Sequence, residues 1–98
     1  MPKPLQAMVQ LAIDDAARRQ QVEASTLVVV SAEPVTWPDG SLGCPQKGML
    51  YPQALVPGFR IRIASGTEIL NYHAASAGQP AFCPAGRVRM PAAGDPRV

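Results

Sequence analysis

The chain has 98 residues, 47% of them hydrophobic and 16% charged, with a formal net charge of +2. That length suits one small domain with a modest core, and so thin a positive charge lacks the clustered basic face that a nucleic-acid partner requires. No apolar run approaches the ~20 residues of a membrane span, so no span is expected.

The N-terminus carries Lys3, but Gln6, Gln10 and Asp14 interrupt any apolar stretch, so it does not read as a signal peptide. With Met1 as the start, the default location is the cytoplasm, and a leader removed upstream would instead make the protein an exported one. Pro4 to Gln21 predicts an amphipathic helix, with Leu5, Met8, Val9, Ala12, Ile13 and Ala16 on one stripe. Asp14 precedes Arg18 by four residues and Asp15 precedes Arg19 by four, each pair adding roughly 0.2–0.5 kcal/mol.

Thr26 to Ser31 (TLVVVS) is the best strand, and its apolar character on both faces predicts a central or helix-covered position. Pro34 is expected to end its regular pairing. Trp37 to Gly48 reads WPDGSLGCPQKG, whose two prolines and three glycines exclude both helix and paired strand. Pro38-Asp39-Gly40 is a turn, since Pro presets φ and Gly accepts positive φ. A loop longer than an ordinary hairpin connection is often functional.

Met49 to Val56 predicts a strand weakened by Pro52, and Pro57-Gly58 a turn. Phe59 to Ile63 alternates cleanly. A two-residue Ser65-Gly66 turn sets Ile63 opposite Glu68, Ile61 opposite Leu70 and Phe59 opposite Tyr72. Phe59, Ile61, Ile63, Leu70 and Tyr72 then share one face. Arg60, Arg62, Ile69, Asn71 and His73 share the other, where the arginines are expected in solvent. Residues 84–98 lack periodicity and read as a disordered tail. The sum is a monomeric α+β domain over residues 1–83: an N-terminal helix on a three- or four-stranded antiparallel sheet, cystatin-like in outline, with a long Pro/Gly loop.

The motif V-T-W-P-D-G-S-L-G-C-P at Val35 to Pro45, with Gly48-Met49, Pro57-Gly58-Phe59 and Tyr72-His73, resembles a group of small uncharacterised bacterial proteins. In them, too, a helix and a strand precede the motif. The resemblance runs from about Val28 to Cys83. It implies no activity and no cofactor, and some similar proteins look exported.

Cys44 and Cys83 are the only cysteines. They are candidates for one disulfide closing about 40 residues, worth about 4 kcal/mol in an oxidising compartment; the alternative is two reduced thiols. No nucleotide-binding glycine motif is present, and a zinc site from Cys44, His73, Cys83 and Asp39 lacks Cys-x-x-Cys spacing, so neither cofactor nor metal is expected. Trp37 reads either as a core plug anchoring the loop or as an exposed contact for a partner. The preferred function is a non-enzymatic binding domain for an unidentified protein or small molecule, with Trp37, Asp39, Leu42, Cys44 and Met49 as candidate contacts on the loop. The rival is a thiol-dependent enzyme or redox protein in which Cys44 is the nucleophile, His73 its base and Asp39 the orienting carboxylate.

Overall fold

The computed structural model describes residues 4–91. Helix α1 runs Leu5–Gln20, and the strands are β1 (Val28–Trp37), β2 (Val56–Ser65), β3 (Glu68–Ala75) and β4 (Ala81–Cys83). The strands form one antiparallel sheet in the order β1-β2-β3-β4. The fold is therefore one helix on an open four-stranded sheet. No helix among the described residues is long and apolar enough to cross a membrane.

The helix forms on the stripe its sequence announces. Met8, Ala12 and Ala16 are fully buried, with Val9 and Ile13 packed beside them. Small alanines at the centre let α1 sit directly on Ile61, Ile63, Leu70 and Tyr72. The helix ends where Gln21 turns left-handed at φ 55°, and Arg18 and Arg19 meet the carbonyl end of its dipole. Of the two expected ion pairs, Asp15–Arg19 forms at 2.8 Å. Arg18 turns instead to Asp15 at 3.5 Å, and Asp14 accepts from Gln10. Asp15 lies nearer the sheet, where the Tyr72 hydroxyl donates to it at 2.6 Å. Partial burial raises the Asp15 carboxyl, but Tyr72, Arg19 and Arg18 outweigh this and hold it below its ordinary value. Arg19 also covers the Phe82 ring at 4.2 Å, a cation–π contact that closes the core toward β4.

The valine-rich strand is an edge, not a central strand. Val28 is 61% and Val30 47% exposed. Its apolar run comes from a β-bulge: Val29 opposes Ile63 while Ser31 opposes Arg62, so Val30 is the extra residue and the alternation slips by one. Pro34 sits inside β1 opposite Phe59 rather than ending it, which an edge tolerates because one row of N–H groups needs no partner. The hairpin turn is Gly66-Thr67, Gly66 taking φ 61°, with Ser65 opposite Glu68, Ile63 opposite Leu70 and Ile61 opposite Tyr72. The expected register is thus off by two residues, which preserves every face assignment. Residues 49–55 form loop, not strand, and Pro57-Gly58 belongs to β2.

The face opposite α1 is covered by the segment between β1 and β2. Arg60, expected in solvent, keeps only 15% of its side chain exposed there and reaches Glu33 at 3.4 Å. Trp37 plugs this side, fully buried, its indole N–H donating to the Ala74 carbonyl at 3.0 Å. The indole reaches that carbonyl by crossing Gly58, where an added Cβ would collide with the Ala74 oxygen and lie 2.8 Å from Trp37 Nε1. Of the segment expected as a tail, Ala85–Arg87 forms a 3-10 turn and the Arg89 N–H donates to the Gly43 carbonyl at 2.7 Å; residues 92–98 lie outside the described residues. Gly58→Ala is predicted to lower stability by about 1–3 kcal/mol through overpacking, while Gly86→Ala, whose Cβ would meet nothing within 4 Å, should be close to neutral. Chemical denaturation of the two variants checks this.

Candidate functional site

The loop after β1 is built on three anchors. At its start, Asp39 Oδ1 accepts from the Ser41 N–H at 2.8 Å and from the Ser41 hydroxyl at 2.6 Å. These bonds hold the Asp39 carboxyl below its ordinary range and fold the chain back on itself. Gly40 then donates to the Pro52 carbonyl at 2.9 Å, so the two limbs of the loop are tied to each other.

In the middle, Leu42 and Gly43 both take positive φ, 56° and 71°. For Leu42 that conformation costs roughly 1–2 kcal/mol. It turns the Leu42 carbonyl onto His73 Nδ1 at 2.7 Å. A carbonyl only accepts, so Nδ1 carries the proton and Nε2 holds the lone pair of a neutral ring. Gly43 is buried against the face of Trp37, leaving no room for a side chain. The His73 ring stacks on Trp37 with centroids 4.4 Å apart. His73 is only 2% exposed, and its Nε2 has no hydrogen-bond partner. Burial lowers its pKa first; the bond to Leu42 works against that, and the Arg60 charge works with it.

The third anchor is covalent. Cys44 and Cys83 form a disulfide with Cα atoms 5.9 Å apart, closing a sequence separation of 39. In the chain-entropy account such a bridge contributes about 4 kcal/mol by restricting the unfolded chain. It joins the loop to β4, as expected from the need to anchor a segment rich in Pro and Gly. Beyond it the Gln46 N–H donates to the Tyr51 hydroxyl at 3.0 Å. The loop then exposes Met49 (56%), Leu50 (96%) and Leu55 (68%) to solvent.

The candidate residues therefore separate into two groups. Trp37, Asp39 and Cys44 form the frame: one is buried, one caps a turn and one is bonded to Cys83. Leu42 is half-buried, and Met49 faces solvent. The three residues of the thiol reading are divided: Cys44 Sγ is bonded to Cys83, His73 is turned to Leu42, and Asp39 to Ser41. No cluster of three or more His, Cys, Asp or Glu side chains able to hold a metal ion occurs among the described residues. Sequence reasoning missed Leu50, Tyr51 and Arg87. The pair Met49-Leu50, set between Gly48 and Pro52, carried a signal for an exposed tip once the strand reading was set aside.

The buried neutral His73 makes stability depend on pH. Its folded pKa lies below the ordinary 6.5, so below that value the unfolded chain binds a proton that the folded one resists. Stability is therefore full above about 6.5 and falls as the pH drops toward the folded pKa, well before the carboxylates titrate. An NMR titration should place the His73 ring midpoint below 6.5, with denaturation midpoints falling between pH 7.5 and 5.5; a ring midpoint at or above 6.5 would contradict the burial argument.

No curated protein and no solved structure matches the chain. A model of a domain of unknown function, DUF8738, matches residues 9–83, from the middle of α1 to the disulfide cysteine in β4. The chain belongs to the DUF8738 family of domains of unknown function.

Proposed function

We propose that the domain is a non-enzymatic protein-binding module whose contact surface is the tip of the disulfide-anchored loop. The observation that carries this is Leu50, 96% exposed on a segment tied down on both sides. A large aliphatic side chain held almost wholly in water has no role in the domain's own core. With Met49 and Leu55 it offers an apolar contact of the kind that dominates small interfaces. The anchors beneath it reduce the ordering entropy that a flexible loop would lose on binding. Trp37, Asp39 and Cys44 serve this reading as the frame rather than as contacts.

A thiolate nucleophile at Cys44 first requires reduction of its bond to Cys83, so the binding reading needs fewer conditions. A structural disulfide also suits an oxidising compartment, and the reading places the working protein there. Leu50→Asp is expected to leave the melting temperature unchanged, since the side chain is exposed. It should weaken capture of the cognate protein by about tenfold or more. Quantitative affinity capture with wild type and Leu50→Asp side by side tests the proposal. At least one protein retained by the wild type alone supports it, and identical capture profiles refute it.

A further inference from the structure

We propose that the protein bound at the loop tip is recognised through an acidic segment, its apolar side chains on Met49 and Leu50 and its carboxylates beside them on Lys47 and Arg89. This names the chemistry of the partner and rests on the loop-tip reading above.

Beside the tip lies a concavity of about 270 Å³ lined by Pro45, Gln46, Lys47, Arg87 and Arg89. That is smaller than the ~300–1,000 Å³ clefts that hold drug-sized ligands, so it takes side chains of a larger partner rather than a whole small molecule. One turn joins it to the tip. The Met49 N–H donates to the Gln46 carbonyl at 3.1 Å, and Gly48 supplies the positive φ of 84° that such a turn requires. Lys47 is exposed at the corner, and Met49 and Leu50 follow in solvent. From the other side Arg89 enters the same wall, its backbone N–H fixed to the Gly43 carbonyl at 2.7 Å, and Met90 beside it is exposed. A cation and a large apolar side chain therefore stand together twice along the chain, Lys47 with Met49 and Leu50, and Arg89 with Met90.

The charge of this surface is not neutralised among the described residues. Their ion pairs use Arg18, Arg19 and Arg60. Arg87 and Arg89 bond instead to neutral acceptors, Nη2 of Arg87 to Cys44 Sγ at 3.6 Å and Nη1 of Arg89 to the Val88 carbonyl at 3.1 Å. The sequence has no Asp or Glu between Asp39 and Glu68, nor between Glu68 and Asp95. Cations of one sign around a concavity attract an oppositely charged partner and reject a basic one. Three of them are too few for nucleic acid, whose affinity rests on many phosphate contacts. Beside an exposed Leu50 they suit a polypeptide that carries Asp or Glu next to large apolar side chains.

A random peptide library displayed on phage and selected on the full, oxidised chain tests this. The enriched sequences should combine Asp or Glu with Leu, Ile, Phe or Met, and a synthetic peptide of their consensus is then the probe for binding by fluorescence anisotropy. Lys47→Glu together with Arg89→Glu should weaken that peptide by about tenfold or more. The melting temperature should stay unchanged, because both side chains are exposed. Wild-type binding should fall as salt rises past about 0.1 M. The acidic assignment fails, with the loop tip standing, if the enriched peptides lack acidic residues, or if the double variant matches the wild type while Leu50→Asp loses the peptide. Both readings fail if Leu50→Asp keeps full affinity. Absence of any enrichment overturns the acidic assignment too. So does sedimentation of the wild type with phosphatidylserine vesicles that Leu50→Asp and the double variant both abolish, since the surface would then face lipid.

Discussion

The bond between Cys44 and Cys83 is what lets a sheet with a single helix keep two covered faces. On one face the problem is solved conventionally, by α1 laying Met8, Ala12 and Ala16 over Ile61, Ile63, Leu70 and Tyr72. The other face presents His73, Cys83 and the flank of Trp37, and among the described residues it is covered mainly by a loop without regular structure. Ordering each loop residue costs roughly 1–2 kcal/mol of backbone entropy. Few ladder hydrogen bonds offset this, so the loop depends on discrete anchors. The disulfide shifts part of the cost onto the unfolded chain. Trp37 supplies the apolar burial, and the left-handed Leu42 is tolerated because its carbonyl finds His73.

The two edges of the sheet are treated differently for related reasons. At β4, the disulfide and the returning chain from Ala85 to Arg89 occupy the margin, with Arg89 bonded to Gly43. At β1 no other element among the described residues pairs with the outer edge. There the bulge at Val30 and the missing N–H of Pro34 break the regular row of donors that would template further strand pairing. An edge so interrupted can carry exposed valines without offering a flat, continuous ladder. The same segment that looks in sequence like the heart of the sheet is therefore its guarded margin.

How much of this could be read from the residues depends on whether a period exists to read. The α1 stripe and the alternation of Phe59, Ile61 and Ile63 are repeating patterns, and both place their residues on the correct faces. The turn between β2 and β3 could slip by two residues without changing those faces, so its error was invisible to the pattern. Val28 to Val30 misled because a bulge and a fully buried strand produce the same apolar run. The second cover of the sheet has no period at all. Its membership, with Arg60 mostly covered and His73 nearly sealed, is decided by three-dimensional closure of the loop, which one-dimensional spacing does not encode. The disulfide could be expected from the entropy of that loop. The approach of Arg87 to Cys44 could not, because residues 84–91 carry no hydrophobic period.

The central claim is that the loop is a structural layer fastened through Cys44. Hydrogen exchange on oxidised and reduced protein tests it most directly. The account predicts that reduction strips protection from residues 38–48 while the hairpin at 59–73 keeps most of its own. Equal protection of the loop in both states, or loss spread evenly over loop and hairpin, would contradict it.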